Sequence, residues 1–299
     1  MCLEQNGGHI FARNFLSIGY TNMDVIGLKR FTDEGLIEEE LRAERLFPVK
    51  AVDPNQRIFL CDDGTLGFVY VCQPLAGGDD KTEEKIQQFL NQNYPDDTVI
   101  QFMLFRSPDI EERLLHMDRL RANFTHPLLT PVLKDRIGFL HNHTTVPIVG
   151  RSRQGAVFNL GRIIDLKLVI SVKLPFADES PSEEAMQNAV TWSQKMLSLL
   201  KSVGLQPHLM TPDEYLRFMQ SLTNWSKDAS WRTDGLRSCW EEEKTLDNQI
   251  LDPTTSVASV KHDVIQLGDE CFVKILSAKR LPDVFYFGEA IQYVGDLSG

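Results

Sequence analysis

The chain has 299 residues, 42% of them apolar and 24% charged, which is enough apolar material to bury a sizeable core and too much for a disordered chain. Its formal charge of −11 repels nucleic-acid phosphates. No Lys/Arg cluster interleaved with aromatics overrides that average, so no direct DNA or RNA binding is expected. The longest apolar runs, Val99 to Phe105 and Leu166 to Val172, fall well short of the ~20 residues of a membrane-spanning helix.

Met1 to Arg13 carries Glu4 before its first basic residue and has no apolar core, unlike a secretory signal, so a cytosolic compartment is expected. Residues 1–30, with Gly7-Gly8 and scattered aromatics, read as an N-terminal arm. From Asp33 the chain reads as a short acidic helix, with Leu36, Ile37 and Leu41 on one face and Glu38 to Glu40 on the other. Arg57 to Cys61 and Leu66 to Cys72 flank Asp63-Gly64, which predicts a β-hairpin on a two-residue type I′ turn. That turn pairs Phe59 with Phe68 and Cys61 with Leu66. Phe59, Phe68 and Tyr70 then share one face, and Ile58, Leu60 and Val69 the other, with both faces covered.

After Gly77-Gly78, Asp80 with Glu83 signals the start of a helix bearing Ile86, Phe89 and Leu90, ended by Asn93-Tyr94-Pro95. Asp97 to Arg106 reads as an apolar strand. Ser107-Pro108, Ser180-Pro181 and Thr211-Pro212 each place a hydroxyl at a helix cap and proline at the first turn; Glu183 and Glu214 add capping boxes to the last two. In the Ser180 helix Ala189, Trp192, Met196, Leu199 and Val203 form a packed face that stops at Gly204. A strand from Ile164 to Leu174 precedes it and a short one from Gln206 to Met210 follows, which suggests a crossover unit.

Residues 224–255 are polar and carry Trp225, Trp231 and Trp240 among charges, reading as a long linker or excursion. The tryptophans either bury locally or await a partner. His262 to Ile275 closes on Gly268-Asp269, a two-residue turn that sets Ile265 opposite Phe272. The fold class expected is mixed α/β (α+β), hairpins and mixed sheets packed with amphipathic helices. Two subdomains, 31–160 and 161–299, are expected, the second containing the excursion.

The search for chemistry is mostly negative. No G-x-x-x-x-G-K-[ST] loop, G-x-G-x-x-G or G-x-S-x-G occurs, and the glycines at 77–78 and 150–155 lack both the lysine and the strand-to-helix setting that cradle phosphate. His141 and His143, two apart on a strand, would share a face and, with His126 and Asp135, could hold the metal of a hydrolase. The alternative is a polar turn after Phe139-Leu140. Cys2, Cys61, Cys72, Cys239 and Cys271 are odd in number and lack a Cys-x-x-Cys unit, fitting inert core thiols. Glu241 to Glu243 beside Lys244 read as solvated. No catalytic, cofactor-binding or metal residue is therefore expected.

One resemblance stands out. Arg45 to Val49, then Gln56 to Leu60 and Asp63-Gly64-Thr65-Leu66-Gly67-Phe68, is similar to the opening of TraC proteins of F-type conjugation systems. Phe102 to Arg106, Asp165 to Ser171 and the tail Lys274 to Pro282 resemble the following blocks, so the likeness runs from about Leu46 to the end. The resemblance implies an amino-terminal piece of an ATPase that energises pilus assembly and DNA transfer through a type IV secretion system. Its Walker-type domain, with ATP and magnesium, would lie downstream of Gly299. The partners implied are inner-membrane components of that system, the protein's own ATPase domain and further copies of itself. The location implied is the bacterial cytoplasm, associated with the inner membrane through those partners. Trp225, Trp231 and Trp240 are the candidate partner contacts, since tryptophan is enriched at binding hot spots. The two other readings are the His126/His141/His143 hydrolase and a free-standing interaction adaptor.

Overall fold

The computed structural model describes residues 47–276 apart from 76, 122–128, 178–179, 227, 234–239, 253–254, 256, 262–263 and 268–270. The N-terminal arm and the acidic helix expected from Asp33 lie outside the described residues.

The main sheet holds β1 (Val49–Asp53), β2 (Ile58–Cys61), β3 (Thr65–Cys72), β4 (Val99–Ser107) and β7 (Asp165–Pro175) in the order β1-β2-β3-β7-β4. The two-residue β8 (His208–Leu209) also pairs with β3. All these pairings are antiparallel. β7 and β8 therefore run parallel to each other across β3, and the helix between them makes the expected crossover. β7, from the second of the two expected subdomains, is seated between β3 and β4 of the first, so one sheet carries strands from both sides of residue 160. β1 is a strand that the sequence reading does not contain.

Strand alternation divides the core in two. On one face lie Ile58, Leu60, Leu66, Phe68, Tyr70, Ile170, Val172 and Leu174. Helix α1 (Asp80–Leu90), through Phe89, and the long helix α4 (Glu183–Val203), through Ala189, Met196, Leu200 and Val203, cover them. The Tyr70 hydroxyl donates to the Ser193 carbonyl of α4, and burial pushes that phenol's pKa up. On the opposite face lie Val49, Val52, Phe59, Cys61, Val69 and Val169, covered by Met210, by Tyr215 of helix α5 (Pro212–Thr223) and by Leu246. The Phe59 ring packs against that of Tyr215 at a centroid distance of 4.6 Å, the two tilted by 43°.

Both faces are covered as expected, but the residues are dealt to them differently. Leu60 pairs with Leu66 and Phe59 with Gly67, so the turn spans Asp62-Asp63-Gly64, with φ +73° at Gly64 and no positive φ at Asp63. This is a three-residue loop in place of the expected two-residue one, and the one-residue slip moves Phe59 away from Phe68 and Tyr70 to the other face. The Asp63 carboxylate accepts from Lys173 Nζ and from Thr65 Oγ1, each at 2.5 Å, fixing the turn to β7. Burial alone would raise the pKa of Asp63. The hydrogen bonds from Lys173 and Thr65 outweigh it and hold the carboxyl below its usual range.

Helix starts follow local competition for the exposed N–H groups. Thr211 caps α5 in a full capping box with Glu214, as expected. α4 starts on Ser182, which accepts from Ala185 N, two residues after the expected Ser180. It ends at Gly204 with φ +101°, as expected. α1 is capped by Asp79 instead of Asp80, because Asp79 Oδ1 takes both the Thr82 N–H and its hydroxyl. The Ser107-Pro108 start is also corrected. Ser107 Oγ accepts from Asp109 N and Asp109 Oδ1 from Glu111 N, and helix α2 (Glu111–Arg119) begins only there, with no side-chain cap. Helix α3 (Leu129–Asn142) and the hairpin β5 (Ile148–Arg151) with β6 (Val157–Gly161) follow.

The segment 224–255 is an ordered excursion in its described part. It contains a short helix α6 (Ser230–Thr233) and a 3-10 turn (Asp247–Gln249). Asn224, fully buried, donates Nδ2 to the Ile250 carbonyl and accepts at Oδ1 from Asp252 N and Thr255 Oγ1. The Asp252 carboxylate accepts from Ser230 N and Oγ. Leu246 N bonds to the Lys50 carbonyl, and Lys50 Nζ to Asp247 Oδ2, tying the excursion to β1. Beyond it, β9 (Val257–Lys261), β10 (Val264–Leu267) and β11 (Cys271–Val273) form a separate antiparallel sheet. Ile265 pairs with Val273 and Leu267 with Cys271, one residue off the expected register, which set Ile265 opposite Phe272.

Candidate docking surface

The three tryptophans do not form one surface. Trp231 of α6 is 3% exposed, its indole N–H donates to the Asn224 carbonyl at 2.7 Å, and Arg232 covers its ring. Trp240 packs part-buried against the core around Tyr215, and its backbone N–H is held by Asp213. Trp225 alone presents much of its ring to solvent, with its indole N–H tied to the Leu222 carbonyl. Glu241 to Glu243 are solvated.

The histidines sit elsewhere and apart. His141 lies in the last turn of α3 and not on a strand, so His141 and His143 do not share a face. His141 Nε2 meets Glu111 Oε1 at 3.1 Å, linking α3 to the start of α2. His143 Nδ1 meets the Val146 carbonyl at 2.9 Å in the turn that follows, with its ring against Phe139. His126 lies outside the described residues. Among the described residues no group of three His, Cys, Asp or Glu side chains is placed to hold a metal ion. Cys61 and Cys72 are free thiols on opposite faces of the sheet, and burial pushes each up to about 11. At neutral pH both are protonated and poor nucleophiles.

Exposed apolar surface gathers instead at the far edge of the sheet. β4 is last in the strand order and, among the described residues, pairs only with β7. The ladder from Val99–Lys173 to Ser107–Asp165 runs without a register shift, and β4 has no proline and one charged residue, Arg106, near its end, so Val99 to Phe105 carries none of the charges or prolines that often blunt a free edge. Val99, Phe102 and Leu104 are at least half exposed along it. The strand is nonetheless firmly held. Phe102 meets Phe89 edge-on at 6.2 Å on one face and Phe105 meets Phe218 at 5.5 Å on the other. At its end the Asp109 carboxylate receives Arg217 Nε at 2.6 Å and Nη2 at 3.0 Å in a buried pair. α2 and α3 follow with Leu120, Leu129, Val132 and Phe139 exposed. The sequence marks Val99 to Phe105 as a strand, but no local signal says that it ends the sheet.

Among the described residues no helix is long and apolar enough to cross a membrane. The family model for the TraC protein matches residues 43–299. No curated protein and no solved structure matches. The chain belongs to the TraC family and is a component of conjugative type IV secretion.

Proposed function

We propose that this TraC-family chain is a non-catalytic assembly and docking region of a conjugative transfer ATPase, serving pilus assembly and DNA transfer by binding and not by chemistry. The observation that carries the reading is β4: a nine-residue, mainly apolar edge strand whose outer hydrogen-bonding groups are offered to an incoming strand. Such an edge supplies affinity through main-chain bonds and selectivity through alternate side chains. The partners are inner-membrane components of the secretion system, the ATPase domain of the same protein and further copies of this chain. Its place is the cytoplasmic side of the inner membrane, reached through those partners. ATP and magnesium belong to the ATPase domain, since the sequence holds no phosphate-cradling loop.

Two measurements test this. Titration calorimetry of ATP with magnesium into the chain is expected to show no binding heat, and micromolar binding would overturn the non-catalytic reading. Leu104→Lys, at an exposed edge position, is expected to reduce capture of secretion components from detergent-solubilised membranes at least tenfold with an unchanged melting temperature. Unchanged capture would remove β4 as the docking edge.

A further inference from the structure

The β5–β6 hairpin differs from the rest of the chain in both packing and charge. Residues 151–160 are exposed throughout, and Val149, Val157, Phe158 and Leu160 are 57, 63, 47 and 62% exposed. A two-stranded hairpin alone is marginally stable in water, and clustered apolar side chains on a surface mark a contact site. The hairpin is also well defined. Ser152 N donates to the Ala156 carbonyl at 2.8 Å, Ser152 Oγ accepts from Ala156 N at 3.1 Å, and Gly155 takes φ +83° at the tip. Gly150 stands opposite Phe158, whose ring lies across it; a Cβ at position 150 would come within 2.6 Å of that ring.

The charge on this stretch is opposite to that of the whole. Between Asp135 and Asp165 there is no carboxylate, while Arg136, Arg151, Arg153 and Arg162 are all present, in a chain of formal charge −11. Arg151 lies in β5 and Arg153 in the tip, both exposed, and Arg162 directly follows β6, also exposed. Cationic side chains beside protruding apolar ones match a surface that is anionic outside and apolar just beneath.

We propose that the β5–β6 hairpin is a contact site for an anionic lipid surface, with Arg151, Arg153 and Arg162 on headgroup phosphates and Phe158 and Leu160, which share one face of β6, entering the headgroup–acyl boundary. Guanidinium groups bind phosphate oxygens through paired N–H donors, and apolar insertion of this kind is non-directional. The residue types favour lipid over nucleic acid. Phe158 is the one aromatic of the hairpin, whereas single-strand binding needs a row of stacking rings. The contact is interfacial, and it extends beyond protein-mediated docking because it requires no partner protein.

The test uses the 299-residue chain and protein-free vesicles. Co-sedimentation is expected with phosphatidylethanolamine–phosphatidylglycerol vesicles and not with phosphatidylcholine vesicles. Combined R151S, R153S and R162S are expected to weaken it about a hundredfold, at roughly fivefold per arginine near a charged bilayer. The matching lysine replacements keep the charge and are expected to stay within a few fold. F158S with L160S is expected to leave only binding that salt abolishes. Equal binding to the neutral vesicles, or an unchanged serine triple variant with a native circular dichroism spectrum, would overturn the proposal. So would retention on a single-stranded DNA oligonucleotide that the same serine variants abolish while the vesicles stay unbound. Loss of binding in both triple variants would also overturn it, because charge would then not be the determinant.

Discussion

The two faces of the main sheet are sealed in different ways. One is closed by regular helices: α1 and α4 lay apolar side chains at helical spacing over Phe68, Tyr70, Ile170 and Val172. The other is closed by α5 and by irregular chain, where Leu246 and Ile250 are fully buried yet held in place by polar groups. The Asn224 side chain bonds three residues of one stretch there, Ile250, Asp252 and Thr255, and Gln220 Nε2 donates to the Gln249 carbonyl. The first face rests mainly on apolar burial, which is diffuse. The second adds to its apolar cluster around Phe59 and Tyr215 several buried hydrogen bonds within irregular chain, each costly to remove.

Three measurements probe that contrast, the first with the largest effect. Met196→Ala, at a fully buried position of α4, is expected to destabilise the whole sheet by about 3 kcal/mol through the cavity it leaves. Chemical denaturation would show it as a lower midpoint with an unchanged slope. Asn224→Ala is expected to cost about 2 kcal/mol, from a lost buried hydrogen bond and unsatisfied neighbours. Its effect should be local: hydrogen exchange would accelerate in residues 229–233 and 240–252 before it does in α4. If α4 amides lost protection to the same degree, the two faces would be one cooperative unit and the contrast would fail.

The smallest effect lies at the turn between β2 and β3. The pKa of Asp63 is lowered in the fold from its ordinary 3.8, so its ion pair with Lys173 contributes stability above that pH. The contribution is lost as pH falls through the depressed value. Both side chains are substantially exposed, which limits the effect to under about 1 kcal/mol. Asp63→Asn should therefore lower the melting temperature slightly at neutral pH and leave it little changed at acid pH, where the native carboxyl is already protonated, so that the shallow decline below pH 4 disappears. An identical acid limb in the variant would deny Asp63 that role.

What could be read in the sequence follows the same division. The α4 face was legible because its apolar residues recur at helical spacing up to Gly204, and α5 because Thr211, Pro212 and Glu214 leave one cap geometry available. The helix starts expected at Asp80, Ser180 and Ser107 fall elsewhere because several adjacent side chains can accept the same N–H groups, and geometry decides among them. At the β2–β3 turn a glycine beside an acid fits a two-residue loop as well as a three-residue one, and only the register shows which is used. The burial of the excursion is hidden because Leu246 and the pair Ile250-Leu251 sit in polar surroundings, without period. For the docking surface, the strand at Val99 to Phe105 was legible, but its place at the sheet's edge depends on β7, distant in the chain. The basic, apolar hairpin has a visible local sign, the absence of carboxylates from 136 to 164, which a whole-chain charge conceals.

The seating of β7 between β3 and β4 also sets a timetable. During synthesis β1, β2 and β3 can associate as soon as they emerge, since short loops join them. β4 cannot take its place in the sheet then, because its neighbour there, β7, ends only at Pro175. For the time the ribosome takes to add those residues, a few seconds at about 5–20 residues per second, an apolar strand waits without its native neighbour. Newly made chains should therefore be most vulnerable to misassociation and most in need of chaperone cover in that interval, and a translational pause placed before β7 should lower the soluble yield more than one placed after it.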